Sequence, residues 1–360
     1  MTEAISRDSR PRRSEGTRED LRPQIPWDDA EMRILSIDGG GIRGILPAAV
    51  LAHCEQRFCD GRPAGEFFDY IAGTSTGGII ALGLSVGLSA KRILGIYTEH
   101  GAEIFPPRHE YQNWLGSKLA GAWHFLRGLS RYKYDRDALS RHLLETFGER
   151  LLGDATRRLV VPSFDEYTEV HLFKTPHHPD YQRDWGERML DVALSTSAAP
   201  TFFSTYRNGD RHFADGGVWA NNPVMTVLVD ALACYDIDRR NIRILSLGCV
   251  ESDFAFSEDQ MTKGGIWHWK EIISSAMRLQ SQNALGQAGL LIGQDRLLRV
   301  DGDPVKDNPI ELDDYARAAA ELPLIAERLV ERHHDRLAEI FSKPRPPFPA
   351  IYGPRSTATT

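Results

Sequence analysis

Three short stretches of the chain carry residues that could do acyl-transfer chemistry. In DYIAGTSTGGIIALGL, residues 69–84, Gly73, Ser75 and Gly77 spell G-x-S-x-G between an apolar run and a second run of helical character. Small residues on either side of such a serine let the chain turn sharply, so that the hydroxyl projects from the sheet at the start of a helix. In RHFADGGVWANNPV, Asp215 ends a strand-like run and precedes two glycines. Glycines there would let the backbone bring a carboxylate to Ser75 without side-chain interference, although Asp-Gly alone is also a common hairpin turn. In ILSIDGGGIRGILPAA, residues 34–49, Gly39, Gly41 and Gly44 fit G-x-G-x-x-G. That loop could hold a pyrophosphate or an oxyanion, since both require N–H groups at a helix N-terminus. The carboxylate of Asp38, directly before the glycines, argues against a phosphate, and no GxxxxGK[ST] is present.

Positioning these groups requires strands that end in turns and helices that begin there. MRILSI is a short apolar run followed by glycines, and ILPAAVLAHCEQRF has helical spacing. The rhythm repeats in EFFDYIA with IIALGLSVGL, and again in IRILSLG at 242–248. Strands alternating with helices predict a mostly parallel sheet covered on both faces. Residues 1–26, polar with six Arg against five acidic residues up to position 25, read as a disordered leader and not a polybasic arm. The tail, 343–360, carries five prolines and reads as extended or disordered.

The chain has 360 residues, 41% hydrophobic and 26% charged, enough for a large core in one large or two ordinary domains. A net charge of −7 gives no global attraction to DNA, RNA or an anionic membrane. The N-terminus lacks an apolar segment of signal type and no run approaches the ~18 apolar residues of a spanning helix, so a cytoplasmic location is expected. Cys54, Cys59, Cys234 and Cys249 form no disulfide framework, and neither they nor the adjacent His177 and His178 have zinc-ligand spacing. No metal or other cofactor is expected. Residues 111–134 contain no acid, four Lys or Arg and six Trp, Phe or Tyr. This patch could rest on anionic headgroups, cradle a nucleotide-like effector, or cap the sheet with core aromatics. The Leu and Ile spacing in residues 321–341 reads as core packing more than as a membrane face.

DGGGIRG at 38–44, GTSTGG at 73–78, STSAAPTFF at 195–203 and DGGVWANNP at 215–223 occur in this order. Together they resemble the blocks of the patatin-like phospholipases, over roughly residues 33–250. The resemblance implies a three-layer α/β/α fold in one catalytic domain, 27–342, with a less clearly matched helical part at 265–342. It implies a Ser75–Asp215 dyad without histidine, and an oxyanion block comprising Gly39, Gly40, Gly41 and Arg43. Bacterial members of this size include antiphage effectors switched on by cyclic dinucleotides, which then degrade membrane phospholipid. That role implies a phospholipid substrate at the inner membrane face and a cyclic dinucleotide activator, and leaves a homo-oligomer open. Residue by residue, Ser75 would attack an ester carbonyl, Asp215 would take its proton, and N–H groups of Gly39–Gly41 would meet the oxyanion. The carboxylate must be raised above its ordinary ~3.9 to serve as a base, with Phe202, Phe203, Val218 and Trp219 as candidate apolar surroundings. Two alternatives stay open at this stage: a nucleotide-binding module with an incidental GxSxG, and an α/β-hydrolase esterase whose Ser–His–Asp triad draws on His333 or His334.

Overall fold

The computed structural model describes residues 23–106, 134–200, 202–250, 272–303 and 309–356. The strands are β1 (Ile25–Pro26), β2 (Met32–Ile37), β3 (Tyr70–Gly73), β4 (Arg158–Asp165), β5 (Val170–Lys174), β6 (Tyr206–Asn208), β7 (Arg211–Asp215), β8 (Tyr235–Asp236), β9 (Ile242–Leu247) and β10 (Leu297–Val300). The helices are α1 (Ile45–Phe58), α2 (Thr76–Ser85), α3 (Ala90–Thr98), α4 (Gly101–Ile104), α5 (Asp137–Phe147), α6 (Met189–Thr196), α7 (Gly217–Ala220), α8 (Val224–Cys234), α9 (Ile272–Ile292), α10 (Tyr315–Arg332) and α11 (His334–Ile340). The runs MRILSI and ILPAAVLAHCEQRF are β2 and α1 residue for residue. EFFDYIA is a strand only from Tyr70, because Ala64–Phe67 coils into a 3₁₀ turn and the Asp69 carboxylate accepts the Arg33 N–H.

The main sheet runs β10-β9-β2-β3-β4-β7-β6, with β5 also on β4, and β10 through β4 are mutually parallel. Parallel strands covered on both faces must be apolar on both, and these are. Leu35, Ile37, Ile71, Leu159, Val161, Leu245 and Leu247 pack under α1, α2, α3, α6 and α10. Their neighbours Ile34, Tyr70, Ala72, Val160, Ile242 and Ile244 pack under α8 and α9. The expected three-layer α/β/α arrangement is what forms, with two cores split by one sheet. Leu322, Ala326, Leu329 and Val330 of α10 are buried core, as the spacing in 321–341 suggested.

One edge of β4 positions the site. Val160 pairs with Ala72 of β3 and with Lys174 of β5, so those strands flank opposite edges. Ser163 pairs with His171 of β5 and with Asp215 of β7, so β7 shares the edge used by β3. Since β3 is parallel and β7 antiparallel to β4, their C-terminal ends meet head-on along that edge, opposite Val161 and Pro162. Proline lacks the N–H that a continuous ladder would require, and here the ladder is broken.

Described residues toward both termini pack against this body. Residues 23–26 fall within the stretch read as leader, yet β1 pairs with β8 and the Pro23 carbonyl accepts a hydrogen bond from His178. Residues 1–22 lie outside the described residues. From the Pro-rich tail the Arg345 side chain is buried against Asp69, 2.9 Å away, at the start of β3. Among the described residues no helix is long and apolar enough to cross a membrane.

Candidate active site

The chain leaves β3 at Gly73 and enters α2 at Thr76, with Ser75 between them at φ 56° and ψ −121°. This left-handed conformation is one an L-residue avoids unless its surroundings impose it. A methyl group on Gly73 would lie 2.0 Å from the Gly77 carbonyl oxygen, and one on Gly77 would lie 2.4 Å from that of Ile37. The two glycines are therefore steric requirements of the elbow. Ser75 is the N-cap of α2, but its hydroxyl makes no capping bond. Instead Oγ donates to Asp215 Oδ2 at 2.5 Å, and both residues are more than nine-tenths buried. Asp215 Oδ1 accepts the Gly217 N–H at 2.6 Å, which fixes the carboxylate plane. Gly216 is needed for close approach, since a methyl group there would meet the Pro162 carbonyl oxygen at 2.4 Å.

Thr196, at the end of α6, fills the break between β3 and β7. Its Oγ1 accepts the Ser75 N–H at 3.0 Å and donates to the Pro162 carbonyl at 2.6 Å. One hydroxyl thus satisfies the two backbone groups that the interrupted ladder leaves over. The residue sits inside the block STSAAPTFF, and nothing in its type distinguished it from its neighbours there.

Burial pushes the Asp215 carboxyl up to about 6, against the hydrogen bonds from Ser75 and Gly217 that favour the ionised form. The apolar surroundings only partly match expectation. Phe203 is buried and packs with Phe105 and Tyr134, but Val218 is 46% exposed and cannot dry the site. Trp219 instead donates from Nε1 to the Ser163 carbonyl and so braces β4. The terminal methyl of Met277 on α9 closes in near Gly217.

The glycine loop lies against Ser75: a methyl on Gly39 would be 3.3 Å from Ser75 Cβ. One expectation is corrected here. The Gly39 N–H donates to the Asn221 carbonyl at 3.0 Å and is not open to an oxyanion. The N–H groups of Gly40 and Gly41 have no acceptor among the described residues. Gly41 has φ +56°, and a side chain there would strike the Leu312 carbonyl oxygen at 2.3 Å. The Arg43 guanidinium donates to the Val250 carbonyl at 2.9 Å and Nε approaches the Gly40 carbonyl at 3.5 Å, so Arg43 ties the loop to the segment after β9. Asp38, the residue that argued against phosphate, is buried and bonded to Arg299 at 2.7 Å.

The histidines of the alternative triad are elsewhere. His334 stacks edge-on against Phe58 at the far end of α1 and pairs with Asp335, while the loop begins at the other end of that helix. Fourteen residues at 1.5 Å each separate those ends by about 20 Å. Among the described residues, two groups have metal-type side chains in proximity. His177 and Asp230 lie 2.9 Å apart beside Cys234, but Lys174 and Tyr181 also donate to Asp230, completing an internal network. Burial lowers His177 to about 4, so it is neutral there. His100 and His142 beside Glu103 are stacked at 3.9 Å and 15°, and near-parallel rings cannot aim both lone pairs at one ion. The basic aromatic stretch 111–134 lies outside the described residues except for Tyr134, whose hydroxyl donates to Asp313.

The family model described as "Patatin-like phospholipase" matches residues 35–228. A relative named cGAMP-activated phospholipase, from Escherichia coli strain TW11681, is 34% identical over 66% of this chain and 67% of its own length. A protein of the same name from Vibrio cholerae is 32% identical over 69% of this chain and 74% of its own. Among solved structures, VipD from Legionella pneumophila aligns with 88% of this chain and 72% of its own, at 12% identity and a TM-score of 0.39.

Proposed function

The chain belongs to the patatin-like phospholipase family, and from that premise we propose that it hydrolyses acyl esters of membrane phospholipids through Ser75 and Asp215, without histidine. The observation that carries this reading is the 2.5 Å hydrogen bond from Ser75 Oγ to Asp215 Oδ2, made by a serine whose strained elbow denies it a capping role. Ser75 Oγ attacks the ester carbonyl carbon and its proton passes to Asp215. The carbonyl oxygen takes the negative charge and is met by the N–H groups of Gly40 and Gly41, with the dipole of α2 adding positive field. As the intermediate collapses, the proton on Asp215 goes to the departing alcohol and Ser75 is left acylated. Water then attacks the acyl carbon, gives a proton to Asp215, and the Ser75 oxygen takes it back as the fatty acid leaves. The placement of the site at the C-terminal ends of β2 and β3 supports the reading, since ligands of parallel α/β sheets bind at that end. Arg43 acts on the loop through the Gly40 and Val250 carbonyls.

Three bacterial relatives carry the name cGAMP-activated phospholipase, and this supports a cyclic dinucleotide activator for this chain and a place in antiphage defence at the inner membrane face. The test is fatty-acid release from mixed bacterial phospholipid vesicles, with and without a cyclic dinucleotide panel that includes cGAMP. Ser75→Ala should lower hydrolysis by about 10⁴-fold or more with the fold retained, as loss of a nucleophile does. A serine-reactive fluorophosphonate should label Ser75. Unchanged hydrolysis in Ser75→Ala overturns the dyad, and equal activity with and without every cyclic dinucleotide overturns the activation.

A further inference from the structure

Asn221 and Asn222 are adjacent and both more than nine-tenths buried, yet their side chains are treated differently. The Asn222 amide accepts from Ser36 and from the Val224 N–H, and donates to Ser281. The Asn221 side-chain oxygen is buried with no hydrogen-bond donor among the described residues. A buried carbonyl oxygen without a donor costs about 1–3 kcal/mol, which calls for a group that arrives later. Its position is specific. A methyl group placed on Gly39 would lie 2.7 Å from Asn221 Oδ1 and 3.3 Å from Ser75 Cβ. A methyl group placed on Gly217 would lie 3.4 Å from the same oxygen and 3.0 Å from Asp215 Oδ1. The oxygen therefore lies no more than 6.0 Å from Ser75 Cβ and 6.4 Å from Asp215 Oδ1, a span that one bridging water can cover. The backbone of Asn221 has a separate duty, since its carbonyl accepts the Gly39 N–H.

We propose that Asn221 Oδ1 accepts a hydrogen bond from the water that attacks acylated Ser75, orienting it while Asp215 takes its other proton. The inference rests on the acyl-enzyme reading above. A water molecule offers two donors: one is held by Asn221 and the other transfers to Asp215 as oxygen bonds to the acyl carbon. The bond from that carbon to Ser75 Oγ then breaks, and the proton returns from Asp215 to Ser75. An acceptor used only by water is idle in the resting protein and during acylation, which accounts for its lack of a partner.

The variants Asn221→Ala and Asn221→Leu separate this role from packing, since leucine keeps the volume and removes the acceptor. Release of p-nitrophenol from p-nitrophenyl butyrate should be followed from the first turnover, alongside intact mass, thermal melting and parallel runs with the cyclic dinucleotide panel. The expected result is a first-turnover rate within about twofold of wild type and a steady-state rate lower by about tenfold, the equivalent of one hydrogen bond in the transition state. Butyrylated protein should accumulate in both variants, and melting should shift little. Equal losses in both phases, or no loss in either, overturn the assignment even where wild type still forms butyryl-Ser75. If wild type never acquires a butyryl group on Ser75, the acyl-enzyme reading itself has failed, and mass analysis tells the two failures apart.

Discussion

At the scale of the residue, the site depends on a carboxylate kept where water would not leave it. Burial raises Asp215 to about 6, above its ordinary value of 3.8. A base must be ionised, so the rate of ester hydrolysis should rise with pH and reach half its plateau near 6. The same shift has the opposite sign for stability. The folded state holds the proton up to about 6 and the unfolded chain releases it near 3.8, so stability falls as pH rises through that window. Asp215→Asn removes the buried charge. It should abolish hydrolysis and raise unfolding stability at pH 8 by roughly 2–3 kcal/mol, with the gain vanishing below pH 4. Urea unfolding of both proteins at the two pH values checks this, and a destabilised Asn variant at pH 8 would contradict it. Ser75, Asp215, Gly73 and Gly77 were legible because their types and spacing carry a steric and chemical signature. The engagement of the Gly39 N–H by Asn221 was not, since backbone bonds between distant loops leave no mark on residue identity.

At the scale of the element, the pairing of Ser75 with Asp215 follows from two strands meeting head-on beside β4. Pro162 faces the break, and Thr196 satisfies the Ser75 N–H and the Pro162 carbonyl together. Thr196→Val keeps the shape and deletes that bridge, leaving two buried backbone groups without partners. Unfolding stability should drop by about 2–4 kcal/mol, and ester hydrolysis should drop with it because the elbow loses its tether. Thr196→Ser should retain most of both; melting and steady-state rates of the two variants decide the matter. Strands β2 and β9 and helix α1 were readable from their apolar period alone. The edge shared by β3 and β7 was not, because which strands pair is decided by contacts far apart in the chain and not by local pattern.

At the scale of the whole molecule, the layers follow from the alternation of strands and helices, while the Pro-rich segment from Lys343 defied its composition. KPRPPFP reads as extended or disordered, yet it delivers a buried guanidinium to Asp69 and the Glu31 carbonyl, at the opposite end of β3 from Ser75. Burial holds the Asp69 carboxyl above its usual value even against Arg345, so the pair is poised on its partner. Arg345→Met should cost about 3–5 kcal/mol in urea unfolding at pH 7, by stranding that charge. The double variant with Asp69→Asn should recover part of the loss, and a single variant as stable as wild type would show that the tail is not structural. Ser75 and Asp215 lie 140 residues apart in the chain, and in the proposed mechanism each is inert without the other. A ribosome that has released the elbow but not yet β7 therefore carries only half of the proposed site. On the proposed mechanism, the nascent chain gains its activity only once the second strand has been translated and docked.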